Sequence, residues 1–334
     1  MPMLYLCNQK KEVDEVNVTG FHPGWYGNNS KLIEQYPGCS IISYQCNGTG
    51  ILHDYALFPG IDLVFMDFNC SDVFEEPCGV HNILELRHYQ EGRVEFEFND
   101  QKVFHLQQDE FCINAMVNMP AQYAFPFEYC HGLSLIIDWD VITRETSDLF
   151  LQFKVNLSNL TLDLDSERQW YICKTPAVMI HIFNELYAAK GIEPVEYFRI
   201  KTLELLYFAS QLRIEDRINA TYYSKGHIDI VKRVRKCMLS DLSSKQSLES
   251  LIRNEPISTV TFQTVFKQVY GHSPYSYLKH YKMNYGAVRL RESGESINRI
   301  AISLGYSNAS KFSKAFRDVF GMLPKDYRAK NKII

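Results

Sequence analysis

The chain reads as an α+β protein in two unlike parts. An antiparallel β-barrel comes first, then a helical connector, then an all-α end built on a double helix-turn-helix. Three observations predict this. Short apolar runs broken by turn residues fill roughly the first 160 positions. From about residue 166 the apolar spacing changes to threes and fours. In the last third, one pattern of about thirty residues occurs twice, about fifty positions apart.

The front part is a succession of short strands. The runs IISYQC (41–46), ILHDYALF (51–58), IDLVFMDF (61–68) and VHNILELRHY (80–89) are separated by turn formers such as Asn47-Gly48 and Pro59-Gly60. RVEFEF, Asn99-Asp100 and KVFHL together make a hairpin. In it Val94, Phe96 and Phe98 alternate with Arg93, Glu95 and Glu97, which predicts one buried face and one wet face. HGLSLIID (131–138) alternates Leu133, Leu135 and Ile137 with small or polar neighbours. Consecutive antiparallel strands of this kind indicate a sandwich or jelly-roll barrel, a cupin-like architecture, over residues 1–165.

The connector, 166–222, is expected to hold two amphipathic helices. Pro176 suits a first helical turn, and AVMIHIFNELYAAK follows it up to Gly191. Pro194 opens a second helix with Leu203, Leu206, Tyr207 and Leu212 at three- and four-residue spacings. Such a pair suits either a linker packed on the barrel or a dimer seam.

Residues 223–334 begin with the helix HIDIVKRVRKCML, whose Ile228, Val231 and Val234 share a face. The two copies then follow, at 247–278 and 296–328. Phe262, Phe266, Lys267, Val269, Tyr270, Gly271, Pro274 and Tyr277 in the first are answered by Phe312, Phe316, Arg317, Val319, Phe320, Gly321, Pro324 and Tyr327 in the second. Residues 274–293 join them as a helix about 28 Å long. A rod of that length suits two reading heads for successive major-groove windows about 34 Å apart. Gly286 inside it costs about 1 kcal/mol against alanine, which predicts a close helix contact there.

Charge divides with the architecture. Residues 225–334 carry 20 Lys+Arg and 8 Asp+Glu, a balance of +12, whereas residues 1–224 carry 15 and 31, a balance of −16. A whole-chain charge of −4 therefore conceals a basic domain joined to an acidic one. That points to a polyanion partner for the C-terminal part alone.

The closing stretch carries the strongest signature: Ser296, Ile297, Ile300, Ala301, Leu304, Gly305, Tyr306 and Ser307, then Phe312, Ser313, Phe316, Arg317, Phe320 and Gly321, then Pro324, Tyr327 and Arg328. With these residues, positions 227–328 resemble the DNA-binding domain of AraC/XylS-type transcription regulators. The first copy matches less tightly. Ile252 stands where the family usually has alanine, and Pro256 occupies a turn position. In the joining helix, Gly286 and Arg289 replace alanine and leucine.

With Phe312 and Phe316 turned inward at i and i+4, Ser310, Lys311, Ser313 and Lys314 point outward. In the first copy, Phe262 and Phe266 leave Val260, Gln263, Thr264 and Lys267 outward. The resemblance implies that these positions meet base edges and phosphates. Chemically, Lys311 and Lys314 suit guanine O6/N7 or phosphate, Gln263 suits adenine, and Val260 and the Thr264 methyl suit a thymine methyl.

The family also implies a variable N-terminal domain that binds an effector, dimerises the protein, or both. The candidate ligand residues are His88, Tyr123, Phe125 and His131. The histidines share strand faces with Leu84, Leu86, Leu133 and Leu135, and the aromatics, with Phe127, surround Pro126. Two histidines fall short of a metal site, so no metal and no cofactor is expected. No Gly-rich phosphate loop, GxSxG elbow or HExxH is present, and the reading is not an enzyme. The nine cysteines are scattered without a CxxC pair, and reduced thiols are expected. No apolar run reaches the roughly 18–20 residues of a membrane span, and the N-terminus is too soon charged for a signal peptide. The expectation is a cytoplasmic transcription regulator. Its partners would be double-stranded promoter DNA, a small-molecule effector, a second copy of the chain and, for an activator, RNA polymerase. The alternatives are a cupin-type metal enzyme fused to a DNA-binding module, and an architectural DNA protein.

Overall fold

The computed structural model describes residues 23–26, 29–74, 82–108, 110–117, 119–164, 170–218, 221–244 and 246–331. The N-terminal stretch read for a signal peptide, together with Cys7 and Cys78, lies outside the described residues.

After a single helical turn, α1 (Pro23–Tyr26), come β1 (Ser30–Tyr36), β2 (Cys39–Tyr44), β3 (Gly48–Phe58), β4 (Ile61–Cys70), β5 (Asp72–Phe74), β6 (Ile83–Gly92), β7 (Val94–Glu97), β8 (Lys102–Leu106), β9 (Glu110–Ala115), β10 (Gln122–Ala124) and β11 (Cys130–Asp138). The helix α2 (Arg144–Gln152) and the strand β12 (Trp170–Lys174) complete this part. Among the described residues the strands form two antiparallel sheets that do not close into a barrel. One has eight strands in the order β1-β2-β3-β4-β11-β6-β9-β12, and the other contains β8-β7-β10-β5. The front part is the expected antiparallel β architecture as an open two-sheet stack.

Two cores follow from the period-two side-chain alternation. On β4, Ile61, Leu63 and Phe65 face one way and pack with helices, while Val64 and Phe68 face the second sheet. This strand is buried on both faces, which is why its sequence is a nearly unbroken apolar run.

The expected helical connector begins instead with β12, which pairs with β9 from Trp170↔Asn114 to Lys174↔Glu110. Its run of aromatic and β-branched residues, WYIC, favours a strand over a helix. Two helices then follow as predicted, α3 (Ala177–Ala189) and α4 (Val195–Ala209), opened by Pro176 and Pro194. They pack on the large sheet, with Met179, Ile182, Phe183 and Leu186 of α3 in its core. The buried stripe of α4 is Phe198, Thr202, Leu205, Leu206 and Ala209; of the predicted residues Leu206 is buried and Leu203 and Leu212 pack against the same core, and Tyr207 alone points outward.

A short strand, β13 (Tyr223–Ser224), pairs with β8 and leads into the all-α end. There lie α5 (Lys225–Ser240), α6 (Leu248–Ile252), α7 (Thr259–Tyr270), α8 (Pro274–Glu292), α9 (Ile297–Ser303), α10 (Ala309–Phe320) and α11 (Pro324–Asn331). α5, α6 and α7 share one core around Phe262 and Phe266, and α8, α9 and α10 share another around Phe312 and Phe316. The joining helix α8 is unbroken over 19 residues. Gly286 sits where a Cβ would come within 3.1 Å of the Phe312 ring and 3.2 Å of Leu304, which explains a glycine inside this helix.

Candidate nucleic-acid interface

Each of the two copies places one helix on the surface by the same local chemistry. Ser258 caps α7 by accepting from Thr261 N–H at 3.1 Å, and Asn308 caps α10 by accepting from Lys311 N–H at 2.9 Å. Both helices end at a left-handed glycine, Gly271 or Gly321, whose N–H returns to the carbonyl of residue 267 or 317. The inward faces are anchored by Phe262, Val265 and Phe266 in α7, and by Phe312, Ala315 and Phe316 in α10, all buried. α9 crosses behind α10 through Ala301, and Asn298 Oδ1 accepts from Ala309 N–H at 3.2 Å, tying the support helix to the start of the reading helix.

The outward faces carry the residues expected of them. Val260, Gln263, Thr264 and Lys267 are exposed on α7, with Val260 at 75%. Ser310, Lys311 and Lys314 are exposed on α10, and Ser313 is half-buried beside them. The Thr264 hydroxyl donates to its own helix at Val260 O, 3.0 Å away, which leaves the methyl as its outward chemistry. Gln263 and Lys314 both face solvent, from two units joined by the continuous helix α8.

Arg289, a departure from the family pattern, has a structural task. It donates to Ser303 Oγ at 2.6 Å and pairs with Glu295, binding the end of α8 to α9. The Arg289 guanidinium holds the Glu295 carboxyl below its ordinary range.

The hairpin expected to have one wet face does not have one. Arg93 and Glu95 are buried, at 7% and 1% exposure, because the charged face of β7 lies against the all-α end. Arg93 donates to the carbonyls of Lys267 and Gln268 at the end of α7. Glu95 pairs with Lys232 of α5, and Glu97 pairs with Lys225. Val103 of β8 enters the core of α5–α7, and Phe127 stacks on Tyr277 at 6.5 Å and 16°. Behind Glu95, His105 is wholly buried, and its Nε2 lies 3.0 Å from the carboxylate. Burial pushes Glu95 up, but the His105 and Lys232 contacts outweigh it and bring the carboxyl down to about 2. Burial lowers His105, so we take it as a neutral ring donating to an ionised Glu95. Period-two alternation could flag this face as distinct, but only the charge division hinted at what would cover it.

The N-terminal candidates do not converge. Tyr123 and Phe125 line a pocket of about 80 Å³ between the two sheets. His88 faces the other way. It stacks on Phe183 of α3 at 3.9 Å, lies 3.0 Å from Tyr187 Oη, and borders an open cleft between the sheets and the all-α end. His131 Nδ1 lies 3.0 Å from Asp67, beside Lys190. The reason is register: Leu84, Leu86, Leu133 and Leu135 point to the α3–α4 side of the large sheet, and the histidines on those faces go with them.

Comparison with known proteins agrees with the duplicated geometry. A family model described as a helix-turn-helix domain matches residues 253–330. The multiple antibiotic resistance protein MarA of Salmonella typhimurium is 32% identical over 91 residues, which are 27% of this chain and 72% of MarA. The chain belongs to the AraC-type helix-turn-helix family. A second relative, the HTH-type transcriptional regulator AlkR of Acinetobacter baylyi, is 33% identical over 82 residues, 25% of this chain and 27% of its own. Among solved structures, a regulator of Chromobacterium violaceum titled as containing an AraC-type DNA-binding domain is 23% identical. It covers 32% of this chain and 95% of its own, with a TM-score of 0.29. The matched segment spans only about a quarter to a third of the length of the first curated relatives. No helix among the described residues is long and apolar enough to cross a membrane.

Proposed function

We propose that this protein is a sequence-specific, DNA-binding transcription regulator of the AraC type, controlled from its N-terminal β domain. The observation that carries the reading is the pair of exposed faces, Val260/Gln263/Thr264/Lys267 on α7 and Ser310/Lys311/Lys314 on α10, held by two cores on one continuous helix. Ser313 sits at the edge of the second face. In this reading residues 1–165 are the sensor, 166–222 the connector and 223–334 the reader, and the protein works in the cytoplasm, where promoter DNA is found. α7 supplies mainly base contacts through Gln263 and the Thr264 methyl. α10 supplies cations for guanine edges or phosphate. The docked face of β7 gives the sensor a direct hold on the first reading unit.

Selection of bound sequences from random duplex DNA by the full chain tests the reading. The expected product is a motif with two half-sites about 10–11 base pairs apart. Gln263→Ala should relax one half and Lys314→Ala should weaken the other. Recovery of no enriched sequence would contradict a sequence-specific regulator and favour an architectural protein.

A further inference from the structure

The pocket between the two sheets has a chemistry that packing alone does not call for. Its wall is largely aromatic, with Tyr44, Phe68 and Tyr123 from the sheets, Phe125 just after β10, and Trp25 and Tyr26 from α1. Into this apolar surface the chain places Glu85, Arg87 and Ser134, at 6%, 4% and 2% exposure. Arg87 pairs with Glu85 and donates to Tyr123 Oη at 3.2 Å, and the Ser134 hydroxyl donates to Glu85. A buried ion pair seldom stabilises a core more than apolar residues of the same volume would, so its position on a pocket wall calls for another role. Polar groups converging on an otherwise aromatic pocket are what a small-molecule site requires.

Size and charge narrow the occupant. By this measure of volume one water needs about 10–15 Å³, so 80 Å³ holds roughly half a dozen waters, or one ring with a short substituent. The charges of Glu85 and Arg87 answer each other. An anion would face Glu85, with Asp54 and Asp138 nearby, where they hold Tyr26 at 2.9 Å and Trp25 at 3.2 Å. A cation would face Arg87.

The pocket is also one strand away from the reader. Tyr123 pairs with Phe96 across β10 and β7, and the Arg87 guanidinium lies 5.7 Å from the Phe96 ring. Phe96 faces the pocket side of β7, and its neighbours Glu95 and Glu97 hold Lys232 and Lys225 on the other side.

We propose that this pocket binds an uncharged, planar, single-ring molecule carrying one hydrogen-bonding group, and that occupancy reaches the first reading unit through β7. The second half of the proposal rests on the regulator reading; the first half does not. The test is calorimetric titration of the full chain, without DNA, using phenol and indole as probes and benzoate as the anionic control. Phenol or indole should bind, and benzoate at least tenfold more weakly. Val64→Phe, which fills the pocket, and Ser134→Ala, a smaller change that keeps the fold, should each weaken the probe at least tenfold. No binding of either probe, preference for benzoate, or binding indifferent to Ser134→Ala would overturn the site. Anisotropy on a selected duplex reads the second half separately. A DNA affinity that changes at least threefold with saturating probe in the wild type but not in Glu95→Gln supports coupling, and an unchanged wild-type affinity overturns it. Loss of DNA binding in every condition, with probe binding intact, would count against the regulator reading alone.

Discussion

Arg93 and Gln268 are 175 positions apart, and the Arg93 guanidinium donates to the Gln268 carbonyl at the C-terminal end of the first reading helix. Lys267 O, 3.4 Å from the same nitrogen, shares the contact. A cation at this end satisfies the Gln268 carbonyl, shares the Lys267 carbonyl with the Gly271 N–H, and opposes the negative end of the helix dipole. Arg93→Ala should therefore cost about 1.5–3 kcal/mol, the range for hydrogen bonds to charged groups. Urea denaturation of the full chain measures it. Limited proteolysis should also show faster cutting between the β domain and α5.

His88 predicts a pH dependence with a definite sign. Burial against Phe183 pushes the ring down to about 4, from an ordinary value of 6.5. The unfolded chain then binds a proton between those values that the folded chain refuses. Stability from this group is full above pH 6.5 and falls as pH drops towards 4, by up to about 3 kcal/mol. In thermal melts across that range, wild type should lose melting temperature relative to His88→Phe as pH falls.

Asp62 titrates with the opposite consequence. Burial, with the charge of Asp138 adding to it, raises its carboxyl to about 7 against the opposing hydrogen bond with Asp54. A raised acid favours folding while protonated, so this contribution is present below about pH 4 and is lost as pH rises through 7. Asp62→Asn should flatten the decline in melting temperature between pH 4 and 7.

Gly305, between the second support helix and its reading helix, has φ +80°, and a Cβ there would lie 2.9 Å from Ser243 O and 3.0 Å from Leu242 O. Gly305→Ala combines backbone strain with collision against main chain, and should cost about 2–4 kcal/mol. The loss should appear in denaturation and as weaker DNA binding, because α10 is the element displaced.

Much of the fold was legible because each element carried its own local signal. Pro176 and Pro194 mark the starts of α3 and α4, the Asn99-Asp100 turn closes the β7–β8 hairpin, and the Phe pairs at i and i+4 orient both reading helices. The outward faces of α7 and α10 followed by subtraction once those anchors were placed. What stayed hidden depends on partners distant in sequence. Alternation on β7 separates Arg93 and Glu95 from Phe96, but cannot say whether water or Lys232 covers the charged side. Likewise, alternation placed His88 with Leu86 without saying which of two cores that face enters; it enters the one under α3. The WYIC run of Trp170–Lys174 favours strand locally, but the β9 edge that it pairs with is a fact no window around residue 170 contains.

The two reading faces differ in charge, and their variants should differ accordingly. Lys314→Ala should cost about 1–3 kcal/mol of DNA affinity if Lys314 meets a base, or lower the salt slope by about one if it meets phosphate. Gln263→Ala should change base preference while leaving the salt slope alone. Anisotropy titrations at several salt concentrations separate these outcomes.

Hydroxyl-radical footprinting of the full chain on a selected duplex asks most directly whether both exposed helices engage DNA together. Two protected windows on one face of the duplex, centred about one helical turn apart, are the predicted result, with Lys314→Ala fading one and Gln263→Ala the other. A single window untouched by one of these substitutions would contradict the two-headed reader.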